Sequence, residues 1–175
     1  DGLVDITNQA DDITMSYNIF ERHNKAILIG NSDAKTADDG KLNVTLHHNY
    51  FHNLVQRAPR VRWGKVHVYN NYYQTDDESG EYRYAYSLGV GKNSKIYAEN
   101  NVADIDGRTY QDFVKVFGGT ELTTLNNIFN GEKIDTFNEY LSPVTWMPER
   151  SMKIDDVNAV KAKVLQQAGV LRNED

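Results

Sequence analysis

Val66-His67-Val68-Tyr69-Asn70-Asn71-Tyr72-Tyr73 decides the fold. Its first half alternates like a half-buried strand, an Asn breaks it, and a second apolar run begins. Four other segments have the same shape: Ile13-Thr14-Met15-Ser16-Tyr17-Asn18-Ile19-Phe20, Val44-Thr45-Leu46-His47-His48-Asn49-Tyr50-Phe51, Ile96-Tyr97-Ala98-Glu99-Asn100-Asn101-Val102 and Leu122-Thr123-Thr124-Leu125-Asn126-Asn127-Ile128-Phe129. The aligned Asn residues are 18, 49, 71, 101 and 127, so the intervals are 31, 22, 30 and 26. A variable period with two or three short strands per repeat marks a β-solenoid, in which insertions go into loops while the strands stay in phase.

Asn has physical reasons to hold a fixed phase. It tolerates a left-handed corner, and its amide can bond to the equivalent Asn one coil away as a buried ladder. The competing reading is an antiparallel sandwich with Asn in its turns. Hairpins favour Asn-Gly, and that dipeptide occurs only at Asn130-Gly131. A second strand class ends in Gly: Ala26 to Gly30, Arg60 to Gly64, Ser87 to Gly91 and Phe113 to Gly118. Residues 31–41 and 74–80, the latter with Asp76-Asp77-Glu78, read as insertions.

The expected architecture is all-β: a β-solenoid over residues 1–140 and a C-terminal cap over 141–175, with a helix at about 156–168. Asp155 and Asp156 can N-cap that helix, Val157, Val160, Val164 and Ala168 give its apolar stripe, and Gly169 stops it. The helix is expected to cover the open end of the last coil. No cap precedes Asp1, so earlier coils of the same protein are expected ahead of it.

The 175 residues suit one domain with a core of its own. At 39% hydrophobic and 25% charged, the composition excludes wholesale disorder. No apolar run reaches the ~20 residues of a membrane span. The net charge of −6 argues against a nucleic-acid partner. With no cysteine there is no disulfide, thiolate metal site or thiol nucleophile.

The cations are concentrated. Lys25 lies seven residues after Asn18, and Arg57 eight after Asn49, so they hold nearly the same phase in successive coils, roughly 5 Å apart. Arg57-Ala58-Pro59-Arg60-Val61-Arg62 adds two guanidinium groups, with Arg60 and Arg62 on one strand face. Asp1 and Asp5 flank Gly2. Clustered cations suit a ligand bearing carboxylates, and a pair of aspartates suits a hard cation such as Ca2+. Salt bridges to surface acids are the plainer alternative for the arginines. Asp1 and Asp5 as a glycosidase acid pair is a weaker one. His23 precedes Lys25 by two and can line the same face. His47 and His48 are expected to point oppositely, one stacked inside and one exposed. Trp63 and Tyr82-Arg83-Tyr84-Ala85-Tyr86 suit either sugar stacking or coil packing.

Taken together, Asp1-Gly-Leu-Val-Asp5, Lys25 to Asp33, Val44 to Phe51, Arg57-Ala-Pro-Arg-Val-Arg62 and Val66 to Tyr73 resemble the pectate lyase family, polysaccharide lyase family 1. The match is dense to about residue 75. The resemblance implies a right-handed, single-stranded parallel β-helix, secretion, action as a monomer, and Ca2+-dependent β-elimination of polygalacturonate, the de-esterified pectin of plant cell walls. It implies Arg57 as the catalytic base, Lys25 and Arg62 as binders of substrate carboxylates, and Asp1 and Asp5 as metal ligands. Arg60 and His23 are then further substrate contacts. Two alternatives stay in view: a pectin lyase acting on methyl-esterified substrate, against which Asp1, Asp5 and Lys25 speak, and an inactive pectin-binding β-helix.

Overall fold

The computed structural model describes residues 2–76, 79–149 and 153–169. The chain winds as a parallel β-solenoid whose coils contribute to three sheets. Sheet one joins β1 (Val4–Ile6), β4 (Ile27–Ile29), β7 (Arg60–Val61), β10 (Leu88–Gly91) and β13 (Val114–Phe117). Sheet two joins β2 (Ile13–Ser16), β5 (Val44–His47), β8 (Lys65–Tyr69), β11 (Lys95–Glu99) and β14 (Glu121–Leu125). Sheet three joins β3 (Ile19–Lys25), β6 (Tyr50–Gln56), β9 (Tyr72–Thr75), β12 (Val102–Ile105) and β15 (Asn127–Phe129), and β16 (Glu132–Ile134) turns back antiparallel on β15.

The five repeats stack in register. Ile13, Val44, Val66, Ile96 and Leu122, the first residue of each, are successive partners across sheet two. Inward-facing residues form columns, because period-2 alternation is preserved from coil to coil. Phe20, Phe51 and Tyr73 stack with ring centroids 5.3 and 4.7 Å apart. The Gly-ended strands are less regular. Arg60 pairs with Leu28 and Gly89, which places Arg62, and not Gly64, beside Gly30.

The Asn ladder is continuous. Each side-chain Oδ1 accepts from the amide of the Asn one coil earlier, at 3.0 Å for 18 to 49, 3.0 Å for 49 to 71, 3.1 Å for 71 to 101 and 3.0 Å for 101 to 127. The left-handed residue is the one before each ladder position: Tyr17, His48, Asn70, Asn100 and Asn126, with φ from 50° to 58°. Corner and ladder are thus divided between adjacent residues. This explains the doubled Asn in three of the repeats, since Asn adopts that conformation more readily than His or Tyr.

Because His48 is a left-handed corner, strand alternation stops before it, and both histidines are buried. This corrects the expectation that one is exposed. Their Nδ1 atoms lie 2.8 Å apart, His48 stacks on Tyr17 and His47 on Tyr69. The His48 Nε2 is 2.9 Å from Asp155 Oδ2, which also accepts from Lys163. Burial, then the neighbouring His48, His67 and Lys163, push the His47 imidazole down to about 4. A depressed base favours the folded state while it is neutral. That stability is present above the unfolded value of about 6.5 and is lost as pH falls toward 4. We expect acidification across this window to remove on the order of 2–3 kcal/mol. Thermal unfolding at pH 7 and pH 4.5 measures it. A His47→Gln variant should show a flatter dependence, and an unchanged slope would contradict the assignment.

The helix α1 (Val157–Gln167) starts where Asp156 Oδ1 accepts from the Asn158 amide at 2.9 Å. It buries Val157, Val160 and Val164. It does not cover the open end, as the sequence led us to expect, but lies along the flank over sheet three, against Tyr50, Tyr72, Val102 and Ile128. The reason is local: these residues point outward after each ladder Asn and form an apolar column that needs cover. At the last coil the chain folds back instead, with Phe137 stacked on Phe113 at 4.8 Å and Thr124 Oγ1 donating to the Asp135 carbonyl. No helix among the described residues is long and apolar enough to cross a membrane.

Candidate active-site groove

Sheets three and one meet at the corner that carries the cations. Lys25 ends β3 and pairs in register with Gln56, the end of β6. Arg57 is therefore one position beyond Lys25's partner, at a left-handed φ of 65°, and its carbonyl accepts from the Ile27 amide at 2.6 Å. From Lys25 to Leu28 is three residues, while from Gln56 to their partner Arg60 is four. The second coil thus has one extra residue at this corner, and Arg57 protrudes there as in a bulge. The Ala58–Pro59 peptide beside it is cis.

Beside Arg57 stand Gln56 and Tyr86, the latter from the run named above for sugar stacking or coil packing. The Tyr86 hydroxyl stands near Arg57, whose charge favours its phenolate form, and donates to Gln56 Oε1 at 3.3 Å. Burial raises the Tyr86 phenol above its ordinary value, so it remains a neutral donor and acceptor. Arg57 Nε is buried and has no hydrogen-bond partner, and the same is true of Arg60 Nε. Burial first, then the neighbouring Arg62, lowers the Arg60 guanidinium below its ordinary value.

Arg62 is held differently. Its Nε donates to Asp33 Oδ1 at 2.6 Å and its Nη1 to the Gly30 carbonyl at 2.9 Å. Gly30 makes room for this: at its φ of 80°, a Cβ would stand 2.7 Å from the Arg62 carbonyl oxygen and 2.9 Å from its Cβ. Two N–H groups of Arg62 are thus engaged, leaving a fork for a carboxylate. Asp33 comes from the insertion at 31–41, which also supplies the Ser32 carbonyl accepting from Trp63 Nε1 at 3.0 Å. Trp63 is buried and belongs to coil packing, as do Tyr84 and Tyr86.

The salt-bridge alternative therefore holds for Arg62 alone. Among the described residues, Lys25, Arg57 and Arg60 have no carboxylate within ion-pair distance. His23 lies half-buried on β3, opposite Leu54 and two residues before Lys25. Asp5 is exposed on β1, opposite Leu28, and one strand further on comes Arg60. Asp1 lies outside the described residues. Among those described, no group of three or more His, Asp or Glu gathers as a metal cage. Asp5 is a hard oxygen donor and fits Ca2+, which takes about six to eight such oxygens. It would be one ligand of a larger set.

Parallel coils, an Asn ladder and, among the described residues, three cations without a carboxylate partner at one corner characterise the solenoid. The chain belongs to the pectate lyase family: the model described as pectate lyase matches residues 1–173. A pectate lyase of Bacillus subtilis is 49% identical over 172 residues, 97% of this chain and 41% of that protein. Pectate lyase A of Dickeya chrysanthemi is 35% identical over 155 residues, 84% of this chain and 39% of that protein. The solved structure of a pectate lyase bound to a hexasaccharide superposes with a TM-score of 0.92 at 48% identity, covering 97% of this chain and 43% of that one. The chain spans about two fifths of the length of these curated relatives.

Proposed function

We propose that the chain forms the catalytic groove of a pectate lyase, which cleaves de-esterified polygalacturonate by β-elimination outside the cell. The observation that carries this reading is the corner itself. Lys25, Arg57 and Arg60 crowd there without carboxylate partners among the described residues, and two of their guanidinium Nε atoms are buried and unpaired. A polyuronate supplies the missing negative charge.

In this reading Lys25 and the open fork of Arg62 bind substrate carboxylates, with Arg60 and His23 as further contacts. They fix the reacting sugar so that its C5–H faces Arg57. Arg57 accepts the C5 proton, the C4–O bond breaks, and its electron pair leaves with the glycosidic oxygen, which is then protonated. A 4,5-unsaturated uronate remains. Negative charge builds on the substrate carboxylate as the proton departs, and the fixed cations stabilise it there. A bound Ca2+, with Asp5 and Asp1 among its ligands, would add positive charge at that same carboxylate.

The test is ultraviolet absorbance of the unsaturated product from polygalacturonate, with Ca2+ and then with chelator. The expected result is at least about a hundredfold loss on chelation. Undiminished activity with chelator would remove the metal from the scheme. Faster cleavage of methyl-esterified than of de-esterified substrate would favour the pectin lyase reading, because an ester cannot pair with Lys25.

A further inference from the structure

The insertion at 31–41 is fastened to the solenoid on both sides of Asp33. The Ser32 carbonyl accepts from Trp63 Nε1 at 3.0 Å and from the Lys35 amide at 3.3 Å, and the Ser32 Oγ accepts from the Ala34 amide at 3.2 Å. Asp38, fully buried, accepts from the Gln9 amide of the first coil at 2.9 Å. Trp63 is the chain neighbour of Arg62, so the loop and the guanidinium it meets are tied to one stretch of backbone. Asp33 therefore stands exposed on a loop whose flanks are fixed.

Among the described residues, Asp33 is the one carboxylate within ion-pair distance of a corner cation. In a groove that receives an acidic polymer, it sets a negative charge beside the negative charges of the substrate, and like charges repel. Attraction of substrate is thus not its use. What it supplies is direction. The Arg62 guanidinium is a rigid planar fork on a flexible stem. Asp33 engages Nε at 2.6 Å and the Gly30 carbonyl engages Nη1 at 2.9 Å. Two bonds to different nitrogens stop the plane from turning, and the remaining N–H groups keep one heading.

We infer that Asp33 is a positioning residue, which holds Arg62 in the orientation that meets the reacting uronate's carboxylate and so acts on the chemical step rather than on affinity. This rests on the lyase reading of the groove. Affinity draws on the summed charge of Lys25, Arg57, Arg60 and Arg62, which loss of Asp33 leaves intact. The chemical step draws on alignment, because negative charge builds at one place as the proton leaves. A displacement of about 1 Å there can cost about a hundredfold.

Rates of unsaturated product formation from polygalacturonate with Ca2+, resolved into kcat and KM, test this. Asp33→Ala should lower kcat about tenfold and leave KM within about twofold. Asp33→Asn keeps an acceptor oxygen at the same place without the charge, and should stay within about threefold of the parent kcat. Asp39→Ala removes the same charge from another exposed position of the loop, and should leave kcat within about twofold. In an Arg62→Lys background the group to be positioned is gone, so Asp33→Ala should change kcat by less than about twofold. A tenfold loss that persists in that background would mean a role that does not pass through Arg62, and would overturn the inference. So would a raised KM at unchanged kcat, equal effects of Asp33→Ala and Asp39→Ala, or an Asn variant no faster than the Ala variant. Absence of product from the parent protein is a separate outcome, which would remove the lyase reading and this inference with it.

Discussion

Arg57→Lys should lower the rate of unsaturated product formation about a thousandfold, within the range for loss of a positioned proton acceptor. The substitution keeps a cation at the corner, so it isolates geometry and acid–base role from simple attraction of the substrate. The structure gives three reasons for a large loss. Arg57 protrudes where the second coil has one residue more than the first, and a shorter side chain cannot reach the same point. Its guanidinium lies near the Tyr86 hydroxyl, which donates to Gln56. Its buried Nε has no other partner. The left-handed corner tolerates Lys no worse than Arg, so the fold should persist, which circular dichroism would show. A rate within tenfold of the parent would remove Arg57 as the base.

Asn71→Ala should destabilise the fold by about 3–5 kcal/mol in guanidinium unfolding. Asn71 is fully buried at the centre of the ladder. Its Oδ1 accepts from both the backbone and side-chain amides of Asn49 at 3.0 Å. Its Nδ2 reaches Asn101 Oδ1 at 3.1 Å and the Leu46 carbonyl at 2.9 Å. Removing the amide orphans donors and acceptors on two neighbouring coils at once, and each buried orphan costs about 1–3 kcal/mol. Within the described residues Asn18 is exposed and donates to Asn49 Oδ1 without accepting from another ladder Asn. Asn18→Ala should therefore cost about 1 kcal/mol. Equal losses at the two positions would mean that the ladder is not what holds the coils in register.

Much of this was legible because a solenoid repeats. Five segments aligned on Asn gave the strand phase, and the structure pairs their first residues as successive partners. The same ruler brought Lys25 and Arg57 to neighbouring coils. It could not show the extra residue at the Arg57 corner, because the pairing of β7 with its neighbours is set by sheet one, where the strands are only two to four residues long. Nor could it show that Arg62, rather than Gly64, sits beside Gly30.

The placement of α1 failed for a different reason. Its boundaries followed from Asp156 and the valine stripe, but its partner depends on which solenoid surface is apolar. The signal was present: Ile19, Tyr50, Tyr72, Val102 and Ile128 each follow a ladder Asn. Once the preceding residue is known to be a left-handed corner, those side chains must point outward. The His47–His48 reading failed at that same corner, since strict alternation does not continue through a residue with φ of 54°. Tyr86 was read only within the Tyr82–Tyr86 run, because it approaches Arg57 from the next coil, at a sequence distance that no motif spans.

The most direct measurement is the identity of the chain ends formed when the protein acts on polygalacturonate with Ca2+. Elimination at a corner made of Lys25, Arg57 and Arg62 predicts new non-reducing ends with a 4,5 double bond, absorbing in the ultraviolet, one for each new reducing end. New reducing ends without the double bond would show hydrolysis, and would contradict the assignment of Arg57 as the base that takes the C5 proton.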